Sequence, residues 1–194
     1  MRLIRAALPT VLAAASVSLF GCSAAGPPTA DKTSHSESLL VLVGVAAQRV
    51  QLADTVAAAK WGTNAPINDP AREKAVLDTV ATQSTQLGID PVVSRAVFTD
   101  QIEANKAVQY GLHSQWRAHP GQAPTTRPDL AQIRPILNHI TDQLLAELQA
   151  TQQLRAEPTC AVQLTEARHR VERTRPLDPL HEGALARALT SICR

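Results

Sequence analysis

The dipeptide Asp-Pro occurs three times, at positions 69–70, 90–91 and 178–179, each time ahead of a stretch carrying Ala, Leu or Val. A short carboxylate at a helix N-cap accepts from the free N–H groups of the first turn. Proline suits the first helical position because its missing N–H would have no partner there. Three such start signals commit much of the chain to helices. Composition agrees: 44% of residues are hydrophobic but only 3% aromatic. The apolar content is mostly Ala, Leu and Val in long segments with little Gly, which all but excludes a β-sandwich. The 194 residues suit one domain with a real core.

Residues 1–22 read as a separate unit. Arg2 and Arg5 precede an uncharged apolar stretch over 6–20, then Gly21 and Cys22. A basic start, a short apolar middle and a small residue before a cut describe an export signal, too short for a comfortable membrane span. Leu19, Phe20, Gly21 and Cys22 also resemble a bacterial lipobox, in which Cys22 would be lipidated. Plain cleavage after the leader is the equal alternative, and either route takes the chain out of the cytoplasm. Of the 19 Lys and Arg, two lie in this leader, so 17 face 17 acidic residues in the mature chain. That balance gives no global field for nucleic acid, and the expected partners include none; a membrane is expected only through a lipid at Cys22.

Cys160 and Cys193 remain, and in an oxidising compartment they are expected to bond. Closing that loop stabilises the fold by roughly 3 to 4 kcal/mol in the chain-entropy model. The six His show no metal-ligand spacing with each other or with the cysteines, so no metal is expected.

Residues 23–37, rich in Pro, Ser, Thr and charge, are expected to form a flexible tether, and 38–194 a single domain. Apolar periodicity predicts a first helix over about 38–61, ended by Gly62. A second follows Asp69 and stops at Gly88, and a third runs from Pro91 to about 117. A fourth is expected over 129–156, kinked or delayed by Pro135. A fifth runs from 160 to about 173 behind a Thr159 cap, and a sixth from Pro179 to 193. The fold class is all-α, a bundle of about six helices with the last two linked by Cys160 and Cys193.

Arg49 and Lys60 lie 11 positions apart, about three helical turns, so they leave the first helix in nearly one direction with Leu42, Val45, Ala53 and Val56. Two cations on an apolar stripe either run past a core edge into solvent, the commoner outcome, or meet an anion in a pocket. Arg72 sits in the first turn of the second helix, where its charge opposes the helix dipole; taken alone it reads as a solvated arginine. Asn105 and Gln109 are one turn apart on the third helix and serve either as core hydrogen-bonders or as ligand contacts. The chain has no Gly-rich phosphate loop, no GxSxG, no HExxH and no cysteine nucleophile. A reaction needing only cations and hydrogen-bond donors fits what is left.

The runs AAQRVQLADTVAAAKW, PINDPAR and VFTDQIEANKAVQYGLHSQW, the segment around Arg134 and the late cysteine pair, in this order and spacing, resemble the exported all-helical chorismate mutases of the AroQ class, gamma subclass. The resemblance spans essentially the whole mature chain. It implies a homodimer with each site inside one chain, converting chorismate to prephenate without cofactor or metal. It also implies site roles. Arg49, Arg72 and Arg134 would grip the two carboxylates, for which planar guanidinium groups are suited. Lys60 and Gln109 would donate to the ether oxygen, Glu73 would bind the ring hydroxyl, and Asp69 would order the start of its helix. Where relatives carry Ser or Thr and a carboxylate, this chain has Asn105 and Lys106: Asn105 is expected as a carboxylate contact and Lys106 as a solvated side chain. Val76 stands where a polar group would help with the hydroxyl. Two other readings of the cation set stay open, a lyase acting on isochorismate and a non-catalytic exported module binding an acidic partner.

Overall fold

A long, mostly apolar helix must bury much of its surface against others, and over 39–60 helix α1 (Ala30–Lys60) answers to that description. In a computed structural model, which describes residues 30–193, α3, α4, α6 and α7 all pack against it. The remaining elements are α2 (Pro70–Gln86), α3 (Pro91–Ala118), a 3-10 turn (Pro120–Gln122), α4 (Leu130–Ala150), the short α5 (Gln152–Arg155), α6 (Cys160–Thr174) and α7 (Pro179–Ala188). No strand occurs among the described residues. Although the 39–60 part of α1 is long and apolar enough to cross a membrane, its apolar surface forms the centre of the bundle. Leu39, Leu42 and Val43 of α1 close a fully buried cluster with Phe98 of α3, Leu144 and Leu148 of α4, Leu185 of α7 and Ile192. Each large side chain removed from water there contributes on the order of 1.5–3 kcal/mol. The leader over 1–22, with Cys22, lies outside the described residues.

The Asp-Pro starts are present as helix caps. Asp69 accepts from the Arg72 N–H at 3.0 Å, Asp90 from Val92 at 2.8 Å and Asp178 from His181 at 2.9 Å. Gly88, with φ of +71°, supplies the left-handed residue that ends α2. Gly111, inside α3, has a different reason: a Cβ there would stand 2.7 Å from Leu180 Cδ2, so its absence lets α7 lie close against α3.

Four boundaries differ from expectation. α1 begins at Ala30, so its first turns occupy part of the stretch expected to be a tether; after Pro27 and Pro28 no Pro or Gly interrupts a helix there. α4 starts directly behind its Asp129 cap, undelayed by Pro135, and ends at Ala150 instead of reaching 156. The Thr151 hydroxyl donates to the Glu147 carbonyl at 2.6 Å, its backbone leaves helical geometry, and the chain restarts as α5. Thr159 does not cap α6: its hydroxyl faces Glu157 and accepts from Gln163. α7 stops at Ala188, and tightened turns over 189–192 carry Cys193 back to Cys160. The disulfide, with Cα atoms 5.7 Å apart, therefore joins the start of α6 to the segment behind α7.

Candidate active site

Arg49, Lys60, Asp69, Arg72, Glu73, Asn105, Gln109 and Arg134 all line one cavity of about 550 Å³, enclosed by α1, α2, α3, α4 and the segment leading into α2. Helical spacing explains the gathering. Arg49, Val56 and Lys60 share one side of α1, and Ile102, Asn105, Lys106 and Gln109 one side of α3.

Arg49 is the deepest cation, only 6% exposed. Its Nη1 donates to Thr141 Oγ1 at 3.2 Å and to the Leu137 carbonyl at 3.5 Å, both on α4, and its guanidinium lies 5.8 Å from the Phe98 ring centre. Burial pulls its pKa down to about 10, which leaves it a cation at neutral pH. The expectation that such a residue runs past the core into solvent is corrected here. The partners that hold it inside are neutral, and its Nε has no partner among the described residues. Its positive charge is thus available to an anion in the cavity.

Lys60, half-buried at the end of α1, has its pKa lowered by desolvation, against the opposing pull of the Asp69 and Glu73 carboxylates. The start of α2 is locked reciprocally: Asp69 accepts from the Arg72 N–H, while Glu73 Oε1 accepts from the Asp69 N–H at 3.2 Å. Arg72 and Arg134 are exposed at the rim, one on α2 and one on α4. On α3, the buried Gln109 donates from Nε2 to Asn105 Oδ1 at 2.6 Å, and Asn105 donates to the Arg49 carbonyl at 3.4 Å. The amides thus tie α3 to α1 behind the cavity, and Gln109 Oε1 is buried without a partner among the described residues.

Lys106 is not a solvated side chain. At 13% side-chain exposure its Nζ lies 3.2 and 3.3 Å from the two Glu73 oxygens, 2.6 Å from Glu103 Oε1 and 3.1 Å from Asn68 Oδ1. Burial draws its pKa down, but Glu103 and Glu73 outweigh that and raise it.

The reading of the sequence missed the wall supplied by α4 and the far end of α2. Asn138, Thr141 and Asp142 line the cavity along with Thr79 and Gln83, and Gln83 Nε2 donates to Asp142 Oδ1 at 3.1 Å across the two helices. Counting helical turns onward from Arg134 reaches Asn138 and Thr141, and from Arg72 reaches Val76, Thr79 and Gln83, so the period alone carried the signal. Val76 is a partly buried apolar part of that wall. Among the described residues no group of three or more His, Cys, Asp or Glu is arranged to hold a metal ion.

The family model described as chorismate mutase type II matches residues 41–110. A secreted chorismate mutase of Mycobacterium tuberculosis is 36% identical over 169 residues, covering 87% of this chain and 84% of its own. One from Mycolicibacterium smegmatis is 36% identical over 182 residues, covering 93% and 99%. The crystal structure of a chorismate mutase from Burkholderia phymatum superimposes with a TM-score of 0.78 at 37% identity, over 83% of this chain and 99% of that one.

Proposed function

The chain belongs to the type II chorismate mutases, and from that premise we propose that its cavity converts chorismate to prephenate with the residues just described. One observation carries the assignment of residues: Arg49, Arg72 and Arg134, from three different helices, line a single cavity with Lys60 and Gln109.

Chorismate is a dicarboxylate carrying an enol ether. Its rearrangement breaks the ether carbon–oxygen bond while a new carbon–carbon bond forms within the same molecule, with no proton transferred and no electrons gained or lost. Negative charge grows on the ether oxygen in the transition state. A cation and an amide donor fixed beside that oxygen bind it more strongly as the charge grows, and this differential lowers the barrier. Lys60 and Gln109 take those positions. The desolvation of Lys60 makes its charge count for more than it would in water. Arg49, Arg72 and Arg134 hold the carboxylates, and Asn105 adds a contact to one of them. That grip selects the folded shape in which the bonding carbons meet. Glu73 accepts from the ring hydroxyl, and Asp69 secures the helix start that carries Arg72 and Glu73.

The same reading takes residues 1–22 as an export signal, with Cys22 either lipidated or removed, and the mature protein as exported. The Cys160–Cys193 bond supports an oxidising destination. It takes the protein as a homodimer with each site in one chain, a state that light scattering on the purified protein measures.

The test follows chorismate absorbance with the purified chain and assays the product. Stoichiometric prephenate is the expected result. Pyruvate released from isochorismate would point to a lyase, and no turnover of either compound would point to a binding module.

A further inference from the structure

A cavity that receives a dianion gains nothing from a carboxylate in its wall unless that carboxylate is neutralised and aimed. Glu73 is such a group. It lines the cavity at 24% side-chain exposure, together with Lys60 and Arg72. Five cationic and three acidic side chains line the cavity, a surplus of two positive charges that matches a dianion, and Lys106 is one of the five. It is also the least expected of them, since it spends its charge on protein carboxylates instead of pointing at the open space.

Lys106 Nζ spans both Glu73 oxygens at 3.2 and 3.3 Å while Glu103 Oε1, one turn earlier on α3, holds it at 2.6 Å and Asn68 Oδ1 at 3.1 Å. Glu73 itself accepts from the Asp69 N–H. The carboxylate is therefore held from two sides, by α3 through Lys106 and by the helix start through Asp69. These contacts tie α3 to the first turn of α2, the turn that also carries Arg72.

We propose that Lys106 is a positioning residue for the rearrangement: it neutralises Glu73 and fixes its direction, so that this carboxylate accepts from the substrate hydroxyl without repelling the substrate carboxylates. The inference rests on the function proposed above. It assigns Lys106 no contact with the reacting atoms, and its effect passes through Glu73. Without Lys106, the unshielded charge of Glu73, the one of its two carboxylate partners that lines the cavity, would weaken binding of the dianion in the ground and transition states alike, so the cost falls on KM and leaves kcat nearly untouched.

A double-mutant cycle of steady-state kinetics on chorismate tests this, with Lys106→Met, Glu73→Gln and the pair, each checked by circular dichroism and melting. Lys106→Met is expected to raise KM about tenfold with kcat within about twofold, and Lys106→Arg to restore most of the loss. Because the harm is the exposed Glu73 charge, adding Lys106→Met to Glu73→Gln should raise KM by no more than about twofold further. Independent effects of the two substitutions would overturn the proposal while leaving the function standing, as would an unchanged KM in folded Lys106→Met. A Lys106→Met chain that does not fold makes Lys106 structural and overturns it too, unless Lys106→Gln folds and shows the same KM effect. Wild-type protein that leaves chorismate unchanged would overturn the function and the inference together.

Discussion

Over 39–47, α1 buries Leu39, Leu42, Val43, Ala46 and Ala47 completely in one cluster with Phe98, Leu144 and Leu148; over 48–60 it buries Arg49 and half-buries Lys60 among Val50, Ala53, Val56 and Ala59. The first half is apolar side chains packed against the large ones of α3 and α4. The second half packs small residues, with Ala104, Val108, Ala184 and Ala188 opposite Val50 and Ala53, so neighbouring helices come close and the cations emerge toward the cavity. One continuous helix thus holds the fold together with one half and arms the cavity with the other. Stability is given up locally where an arginine Nε and a glutamine Oε1 are held inside the protein with no partner among the described residues.

Substitutions in the two halves should therefore separate activity from stability. The largest effect is expected from Lys60→Ala, which should lower kcat/KM by about 10³-fold through loss of a donor and its charge. Its circular dichroism should be unchanged and its Tm equal or slightly higher, since a desolvated cation is removed. Parallel loss of activity and helicity would make Lys60 structural and erase the contrast.

The disulfide belongs with the apolar half: Cys193 packs on the Leu and Val cluster, its partner Cys160 is buried, and neither lines the cavity. Replacing both by Ser should cost roughly 3 to 4 kcal/mol and lower Tm by about 10 °C. At 25 °C, kcat/KM should stay within about twofold. A large kinetic defect without a melting shift would contradict that division.

What the sequence made legible follows the range of the interaction involved. The caps at Asp69, Asp90 and Asp178 act within three residues, and all three are found. The fate of Arg49 is settled by Thr141, 92 positions away, and that of Lys106 by Glu73, 33 positions away. Local patterning therefore predicted solvated or snorkelling side chains for residues that tertiary partners hold inside. Thr159 and Thr151 show the limit at short range as well. Each hydroxyl chose among several nearby partners, and the choice set whether a helix was capped or broken.

Arg134 sharpens the comparison from the other wall, since it reaches the cavity from exposed α4 surface and bears on binding more than on the transition state. Arg134→Ala should raise KM about tenfold with kcat within about threefold. Wild-type kinetics would remove it from the site.

The smallest effect is expected at a polar contact outside the cavity. His181 places Nδ1 2.6 Å from Asp178 Oδ1 and Nε2 2.7 Å from Asp54 Oδ1, a geometry in which both ring nitrogens donate only when the ring is protonated. Burial pulls its pKa down, but the hydrogen bonds and charges of Asp178 and Asp54 outweigh that and raise it. The raised group contributes its stability in full below the unfolded value of about 6.5 and loses it as pH climbs through the folded value. Between pH of about 6 and about 8.5, wild-type Tm should fall by about 2 °C more than that of His181→Gln. Equal pH dependence of the two proteins would show that the contact carries no linkage.

The central claim is that donors fixed in the wall stabilise charge on the ether oxygen without any proton being transferred, and the pH dependence of kcat/KM in wild type and Gln109→Glu tests it most directly. An amide donates at every pH, so wild type should stay nearly flat from mildly acidic to mildly alkaline conditions. Glutamate donates only while protonated, and once ionised it sets negative charge against an oxygen that is gaining more. Gln109→Glu should therefore be active on the acid side alone. A wild type that loses activity across neutral pH, or a Gln109→Glu profile with no new pH dependence, would contradict the account by removing Gln109 from the ether oxygen.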